Sequence, residues 1–178
     1  QAAALLRILG LRGVNVIGCS GGALAALNLA LEHSELVNAV AADSFEGIRA
    51  DASITEQIRN GRSYAKQIDG FCLMQKEMHG EDWENVVDAD TEAVVAHAQT
   101  IGAFTHQPIE SLKVNLLLTG STDDEMFPKG HYENLFADIC SRNDMAKSHI
   151  FEHGGHPAMM SNLEAFTPLC EAFFAETD

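Results

Sequence analysis

The chain has 178 residues, which suits one domain and is long enough to bury a sizeable core. Hydrophobic residues make up 46% and charged residues 21%, which excludes a fibrous or a disordered protein. The 11 Lys and Arg residues against 26 Asp and Glu residues leave a formal charge of −15, which disfavours nucleic acid and anionic membranes as partners. The four cysteines show no CxxC or zinc-finger spacing, so we expect free thiols and a cytoplasmic protein.

The first part of the chain predicts a helix, a strand, a helix and a strand. The segment "AAALLRILG" places Leu5, Leu6, Ile8 and Leu9 on one helical stripe that ends at Gly10. The run "VNVIG" is typical of a strand buried on both faces of a parallel sheet. Strong helix formers follow in "GALAALNLALEH", and "ELVNAVAADS" predicts a second buried strand that ends in polar residues.

The middle of the chain, from about 48 to 110, predicts helices and shows no clear strand. Seven acidic residues and no Lys or Arg lie between Glu77 and Glu92. We interpret this run as a solvated helix face, with a specific cation or partner site as the alternative.

The last part predicts two further strands and two helices. The strands are "KVNLLLTGS" and "SHIFEHGG", and the helices are "HYENLFADICSR" and "SNLEAFTPLCEAFFAE". Ser161 and Glu164 have the spacing of a capping box at the start of the last helix, and Pro168 is expected to kink it or to start its second part. The alternation of strands and helices predicts an α/β fold, a parallel sheet with helices on both faces. In such sheets, active groups gather at the carboxyl ends of the strands.

A nucleophile motif lies at the first of these strand ends. Gly18-Cys19-Ser20-Gly21-Gly22 fits G-x-S-x-G between a predicted strand and a predicted helix, the pattern of a nucleophile elbow. The motif predicts a strained turn that exposes the Ser20 Oγ, with neighbouring glycines approaching too closely to allow a Cβ. The N–H of Gly21 is the predicted oxyanion donor at the helix N-terminus. A glycine-rich turn without chemistry is the alternative interpretation.

Two later strand ends carry the residues that a serine nucleophile needs. Asp123 and Asp124 follow "LLLTGS", where a carboxylate can orient an imidazole and stabilise its cation. His156 follows the last predicted strand after two glycines, where it can take the serine proton and pass it to the leaving group. His153 and His156 could also form a metal pair, but they lack helical spacing and a third ligand, so we expect no metal.

With these motifs in the order Ser, Asp, His, the chain resembles the C-terminal two-thirds of an α/β-hydrolase-fold serine hydrolase. The resemblance covers residues 1–47 and 111–178 as hydrolase core and implies a helical cap, lying over the site, for 48–110. It implies that Ser20 is the nucleophile, His156 the general base and Asp124 the acid, with Asp123 as the alternative acid. The N-terminal strands of the fold are missing from the chain, so either a preceding segment or a second copy would complete the sheet.

The resulting hypothesis is a serine hydrolase that cleaves a small, largely uncharged ester or related acyl substrate without a cofactor. Cys19, Met126 and Met159 are candidate substrate-binding residues, together with Phe127 and Met160, since they flank the predicted catalytic loops. Ordinary core packing is the alternative for these side chains. Two other functions stay open. One is a non-catalytic ligand-binding protein of the same fold, and the other is a patatin-like acylhydrolase with a Ser-Asp dyad, which carries a similar "GxSxGAL" stretch.

Overall fold

A computed structural model of the chain describes residues 1–50 and 52–177. The chain divides into two compact units, one formed by residues 1–48 and 105–178 and the other by residues 49–104. All strands among these residues belong to the first unit, and the second unit is helical. None of the described helices is long and apolar enough to cross a membrane.

The first unit contains a sheet of four parallel strands in the order β1-β2-β3-β4. The strands are β1 (Val14–Cys19), β2 (Val37–Asp43), β3 (Asn115–Ser121) and β4 (Ala146–Phe151). Strand neighbours therefore follow chain order, as expected when each strand is joined to the next by a crossover on one face of the sheet. The predicted parallel sheet is confirmed.

Two apolar clusters pack on opposite faces of this sheet because the side chains of a strand alternate between its faces. In β2, Val40 and Ala42 belong to one cluster, whereas Ala39 and Ala41 belong to the other. The first cluster includes side chains of α1 (Ala2–Ile8), α2 (Gly21–Glu32) and α6 (His131–Arg142). The second includes side chains of α7 (Ala158–Ser161) and α8 (Leu163–Ala175). Helices thus cover both faces, as predicted.

Strand β1 differs from its prediction. It lies at the edge of the sheet, with Asn15 and Ile17 exposed, so the expectation of a strand buried on both faces is wrong for β1. The helical stripe predicted for the first residues is also largely exposed. Ala3 is buried and Leu6 packs against the core, whereas Ile8 is 82% exposed. The edge position explains this difference, because within the described chain no further strand extends the sheet surface beside β1.

The last helix begins differently from the capping-box prediction. Asn162 is the N-cap of α8, and its side chain makes no cap hydrogen bond. The Ser161 hydroxyl instead donates to the carbonyl oxygen of Gly155, at 2.8 Å, in the loop after β4. The capping box of Ser161 and Glu164 is therefore wrong. Helix α8 runs through Pro168 as one element.

The second unit contains α3 (Ala52–Ala65), α4 (Asp69–His79) and α5 (Trp83–Ile101). Cations of α3 and the adjoining Lys66 pair with part of the acidic run on α5. The pairs are Arg59–Glu92 at 2.9 Å, Arg62–Asp90 at 2.5 Å and Lys66–Asp88 at 2.5 Å. These acidic side chains are 61–69% exposed, so this part of the run is a solvated face that also joins two helices. Each surface ion pair of this kind contributes little to the stability of the fold.

Candidate active site

Ser20 lies in a strained turn between β1 and α2. It is the N-cap of α2, with φ 53° and ψ −130°. A positive φ is unfavourable for a residue with a Cβ, by about 1–3 kcal/mol, and such strain concentrates at functional sites. The Ser20 N–H donates to the carbonyl oxygen of Asp43 at 2.9 Å, which ties the turn to the end of β2.

The glycines of the motif are not equivalent. An ideal Cβ on Gly18 would overlap the carbonyl oxygen of Gly22 and lie 2.8 Å from the backbone nitrogen of Ala23. Gly18 is therefore required for the close approach of β1 to the first turn of α2. Nothing lies within 4 Å of a Cβ on Gly21 or Gly22, so the expectation that crowding requires every glycine of the motif is wrong for these two.

Asp124 and His156 are joined by a hydrogen bond at the carboxyl edge of the sheet. His156 Nδ1 lies 2.9 Å from Asp124 Oδ2, and the side chains are 15% and 2% exposed. Because the carboxylate is excluded from water, this bond fixes the plane of the imidazole. Burial raises the pKa of Asp124, but hydrogen bonds from His156 and from the Tyr132 hydroxyl outweigh burial, and the pKa is lowered overall. Asp124 is thus held as a carboxylate.

Asp123, the alternative acid, has a different environment. Its side chain is 60% exposed, and its Oδ2 lies 3.6 Å from Nδ1 of His153. The His153 side chain is itself 86% exposed. Two adjacent aspartates therefore face different histidines, and the buried one contacts His156.

The loop that carries His156 is fixed by two carboxylates. Glu125 Oε2 accepts the backbone N–H of His156 at 3.1 Å. Asp43 Oδ2 accepts the N–H of Met159 at 3.0 Å, and Asp43 Oδ1 accepts the hydroxyl of Thr119 at 2.7 Å. Asp43 is completely buried, and burial raises its pKa against the opposing effect of these donors.

The strand register brings Ser20 to the same edge as these residues. Cys19 pairs with Asp43, Asp43 with Thr119, and Ser121 with Phe151. Since all four strands are parallel, the segments that follow them begin at one edge of the sheet. Asp43 connects them directly, because its carbonyl oxygen binds the Ser20 N–H and its side chain binds the loop after His156.

The candidate substrate-binding residues are found around this edge. Cys19 and Met159 are partly buried, and Met159 packs against the apolar cluster that includes α8. The backbone N–H of Met126 donates to Asp124 Oδ1 at 2.9 Å, so Met126 helps to fix the acid. Phe127 lies edge-on to the His156 ring at a centroid distance of 6.0 Å. Met160 is 72% exposed.

Three polar residues of this network were missed as site residues by the sequence analysis. Asp43 and Ser44 are buried at the end of β2, and the polar ending of that strand was their visible signal. Tyr132, at the start of α6, donates its hydroxyl to Asp124 Oδ2 at 2.6 Å. No sequence pattern indicated this contact. Among the described residues, no group of three or more His, Cys, Asp or Glu side chains is arranged to hold a metal ion.

Comparison with solved structures shows which fold carries this site. No protein-family model matches the sequence, and no curated protein matches it significantly. NosK from Streptomyces actuosus superimposes with a TM-score of 0.74 at 16% identity, covering 99% of this chain and 74% of NosK. The meta-cleavage product hydrolase CumD from Pseudomonas fluorescens IP01 gives 0.71 at 18% identity, covering 99% and 70%. The serine hydrolase CCSP0084 from Cycloclasticus zankles gives 0.66 at 20% identity, covering 98% and 68%.

The sheet order and the helices on both faces indicate the same fold as these similarities. The neighbours include hydrolases with an α/β-hydrolase core, such as MGS-M2 from a deep-sea metagenome library. The chain has the α/β-hydrolase fold.

Proposed function

We propose that the protein is a serine hydrolase that cleaves a small, largely uncharged ester or related acyl substrate. The observation that supports this most is the buried hydrogen bond of 2.9 Å between Asp124 and His156, at the sheet edge where Ser20 follows β1. A carboxylate that accepts from Nδ1 keeps that proton in place, which leaves Nε2 of a neutral imidazole as the base. Hydrolase neighbours of the same fold are consistent with this chemistry.

In the proposed reaction, the Ser20 Oγ attacks the substrate carbonyl carbon while His156 Nε2 takes the hydroxyl proton. The tetrahedral intermediate collapses, the bond to the leaving group breaks, and His156 returns the proton to the departing oxygen. Water then attacks the acyl-serine with His156 again as base, which releases the acid and restores Ser20. Asp124 stabilises the imidazolium formed in each half of the reaction.

The oxyanion of the intermediate needs hydrogen-bond donors. Gly21 is the first residue of α2, and N–H groups in the first turn of a helix have no acceptor within the helix. We therefore assign the Gly21 N–H as one donor, assisted by the helix dipole. A formal charge of −15 disfavours strongly anionic substrates, which is why an uncharged acyl compound is proposed.

Labelling with a fluorophosphonate probe tests the nucleophile. Wild-type protein should be modified covalently at Ser20, and Ser20→Ala should lose the label. Ser148→Ala is the matched control, because Ser148 is an exposed serine on β4 and should leave labelling unchanged. An unlabelled but folded wild-type protein would favour a ligand-binding protein over an enzyme.

A second experiment separates a triad from a Ser-Asp dyad. His156→Ala should lower kcat by about 10³-fold or more if His156 is the base, whereas a dyad enzyme would retain its activity.

A panel of substrates tests the substrate class. The panel consists of neutral esters of varied acyl length and a meta-cleavage product, because the neighbour CumD is a meta-cleavage product hydrolase. Hydrolysis of the meta-cleavage product in preference to every ester would contradict the proposed ester class.

A further inference from the structure

The Asp124 carboxylate accepts two hydrogen bonds besides the one from His156. Oδ2 accepts from His156 Nδ1 at 2.9 Å and from the Tyr132 hydroxyl at 2.6 Å, whereas Oδ1 accepts from the N–H of Met126 at 2.9 Å. The side chain of Asp124 is 2% exposed, so these groups rather than water determine the orientation of the carboxylate. Tyr132 and His156 therefore share one oxygen.

We infer that Tyr132 is a positioning residue for the proposed reaction, holding Asp124 Oδ2 in place for His156 and limiting the negative charge that this oxygen presents to the imidazole. The inference rests on the proposed function, because it concerns how Asp124 acts on His156. A charge-assisted O–H···O⁻ bond of 2.6 Å is among the stronger hydrogen bonds in proteins. Burial and Asp124 raise the pKa of Tyr132, so the phenol keeps the proton that it donates.

Packing prevents the phenol from turning away. Tyr132 is 3% exposed, and its ring contacts Phe136 and Phe127 at centroid distances of 5.3 Å and 5.8 Å. An ideal Cβ on Gly120 would lie 2.6 Å from Cδ2 of the tyrosine ring. The glycine in β3 therefore makes the space that the ring fills.

Buried polar contacts also hold the loop that carries His156. The hydroxyl oxygen of Ser44 accepts the N–H of Ala158, the first residue of α7, at 2.8 Å. Ser44 is completely buried and has a φ of 49°. Tyr132 therefore acts on an Asp124–His156 pair whose loop is itself held in place.

Other ionisable groups also face this network. Asp43 acts on both His156 and Tyr132 through its charge, and it lies at the end of β2. His131 is the first residue of α6. Burial lowers its pKa, and the charge of Asp124 opposes that effect. Glu125 binds the His156 backbone. A Tyr132→Phe substitution leaves all three in place, so its effect on pH dependence reports the lost hydroxyl.

The test compares Tyr132→Phe with Tyr64→Phe, which removes the hydroxyl of the only other tyrosine, 64% exposed on α3. In Tyr132→Phe, kcat should fall about tenfold with little change in KM, since a bond to a charged group that orients the base is lost. The acid limb of the kcat/KM profile should move to higher pH, because a carboxylate with one donor fewer holds the imidazolium more tightly. Tyr64→Phe should change neither.

A complementary variant keeps the phenol and the fold. In Tyr64→Phe protein, 3-fluorotyrosine can be incorporated at position 132 alone, since no other tyrosine is left. A fluorinated phenol is more acidic and donates more strongly, so the acid limb should move to lower pH, opposite to the effect of Tyr132→Phe. Movement in the same direction as Tyr132→Phe, or no movement with either change, would overturn the inference.

One measurement does not depend on turnover. The Nδ1 proton of His156, observed by NMR in Ser20→Ala protein, should shift when Tyr132→Phe is added and stay in place when Tyr64→Phe is added. If wild-type protein fails to react with the fluorophosphonate, the proposed function is wrong, yet this resonance still reports whether Tyr132 acts on the Asp124–His156 pair. An unchanged resonance in a folded Tyr132→Phe variant would contradict the inference itself.

Discussion

Gly18 and Gly22 lie so close together that a methyl group on Gly18 would overlap the carbonyl oxygen of Gly22. The obstruction is backbone and cannot rotate away as a side chain would. The elbow that carries Ser20 is therefore built on a contact between the end of β1 and the first turn of α2. Its geometry depends on the absence of one Cβ.

Gly18→Ala is expected to destabilise the protein by about 3 kcal/mol, the upper end of the usual cost of overpacking, because backbone must move. The free energy of unfolding, measured by urea denaturation, checks this. Gly22→Ala is the matched control, since its Cβ meets nothing within 4 Å and it lies in α2. It should leave stability unchanged or raise it by up to about 1 kcal/mol. Equal stabilities of the two variants would contradict the close approach.

Asp124→Asn and Asp123→Asn should separate the two candidate acids. The first replaces the buried acceptor of the His156 Nδ1 proton, so kcat should fall by about 10³- to 10⁴-fold if the proposed triad operates. The second alters a side chain that is 60% exposed beside His153, so kcat/KM should change by less than about twofold. Steady-state kinetics on the best ester of the panel provides the comparison. A large loss in Asp123→Asn with activity kept in Asp124→Asn would exchange their roles.

The sequence predicted the sheet well because buried parallel strands are nearly continuous apolar runs, and "VNAVAAD" and "NLLLTGS" are such runs. It also pointed to Asp124 and His156, since both follow strands whose carboxyl ends meet at one edge. It preferred Asp124 to Asp123 as the acid but kept both as candidates. Their difference in burial depends on how the loop after β3 turns, which the two residues themselves do not specify.

Contacts that depend on tertiary packing were beyond sequence reasoning. The bond from Tyr132 to Asp124 requires α6 to be placed so that a ring lies over Gly120, which helical periodicity does not specify. The capping-box pattern of Ser161 failed for a related reason, because the loop after β4 brings the Gly155 carbonyl within reach of its hydroxyl. The exposure of β1 follows from its place at the edge of the sheet, which its own residues do not encode.

The stability of the protein should depend on pH through Asp124. Its pKa is lowered in the folded state, so Asp124 contributes stability that is present above its unfolded pKa of about 3.9 and is lost as pH falls through the folded pKa. The difference in unfolding free energy between wild type and Asp124→Asn should thus be largest from pH 5 to 7 and shrink below pH 4. Urea denaturation at several pH values measures it. A difference that grows on acidification would contradict the lowered pKa.

The contribution of Asp43 to stability should change with pH in the opposite direction. Burial raises its pKa in the folded state, so its contribution is present below the unfolded pKa of about 3.9 and is lost as pH rises through the folded pKa. Asp43 should therefore take up its proton at a higher pH than Asp124 does. Carboxyl ¹³C NMR titration of the two residues, assigned with Asp43→Asn and Asp124→Asn, gives the order directly. The reverse order would contradict the burial of Asp43 as the dominant cause.

Cys19 directly precedes the proposed nucleophile Ser20, and the environment of Cys19 makes its thiol a poor nucleophile. Burial, and next the charge of Asp43, raise the pKa of the Cys19 thiol, so little of it is thiolate at neutral pH. Iodoacetamide at pH 7 should therefore modify Cys19 more slowly than a free cysteine of ordinary pKa, as measured by peptide mass spectrometry.

Cys19→Ala should keep kcat/KM within about threefold, because truncating a partly buried side chain next to Ser20 removes packing and no reacting group. Cys170→Ala is the control, since Cys170 is also a free thiol but lies in α8, where burial raises its pKa to about 11. Rapid alkylation of Cys19, with loss of activity that Cys19→Ala reproduces, would assign this thiol a direct part in the reaction.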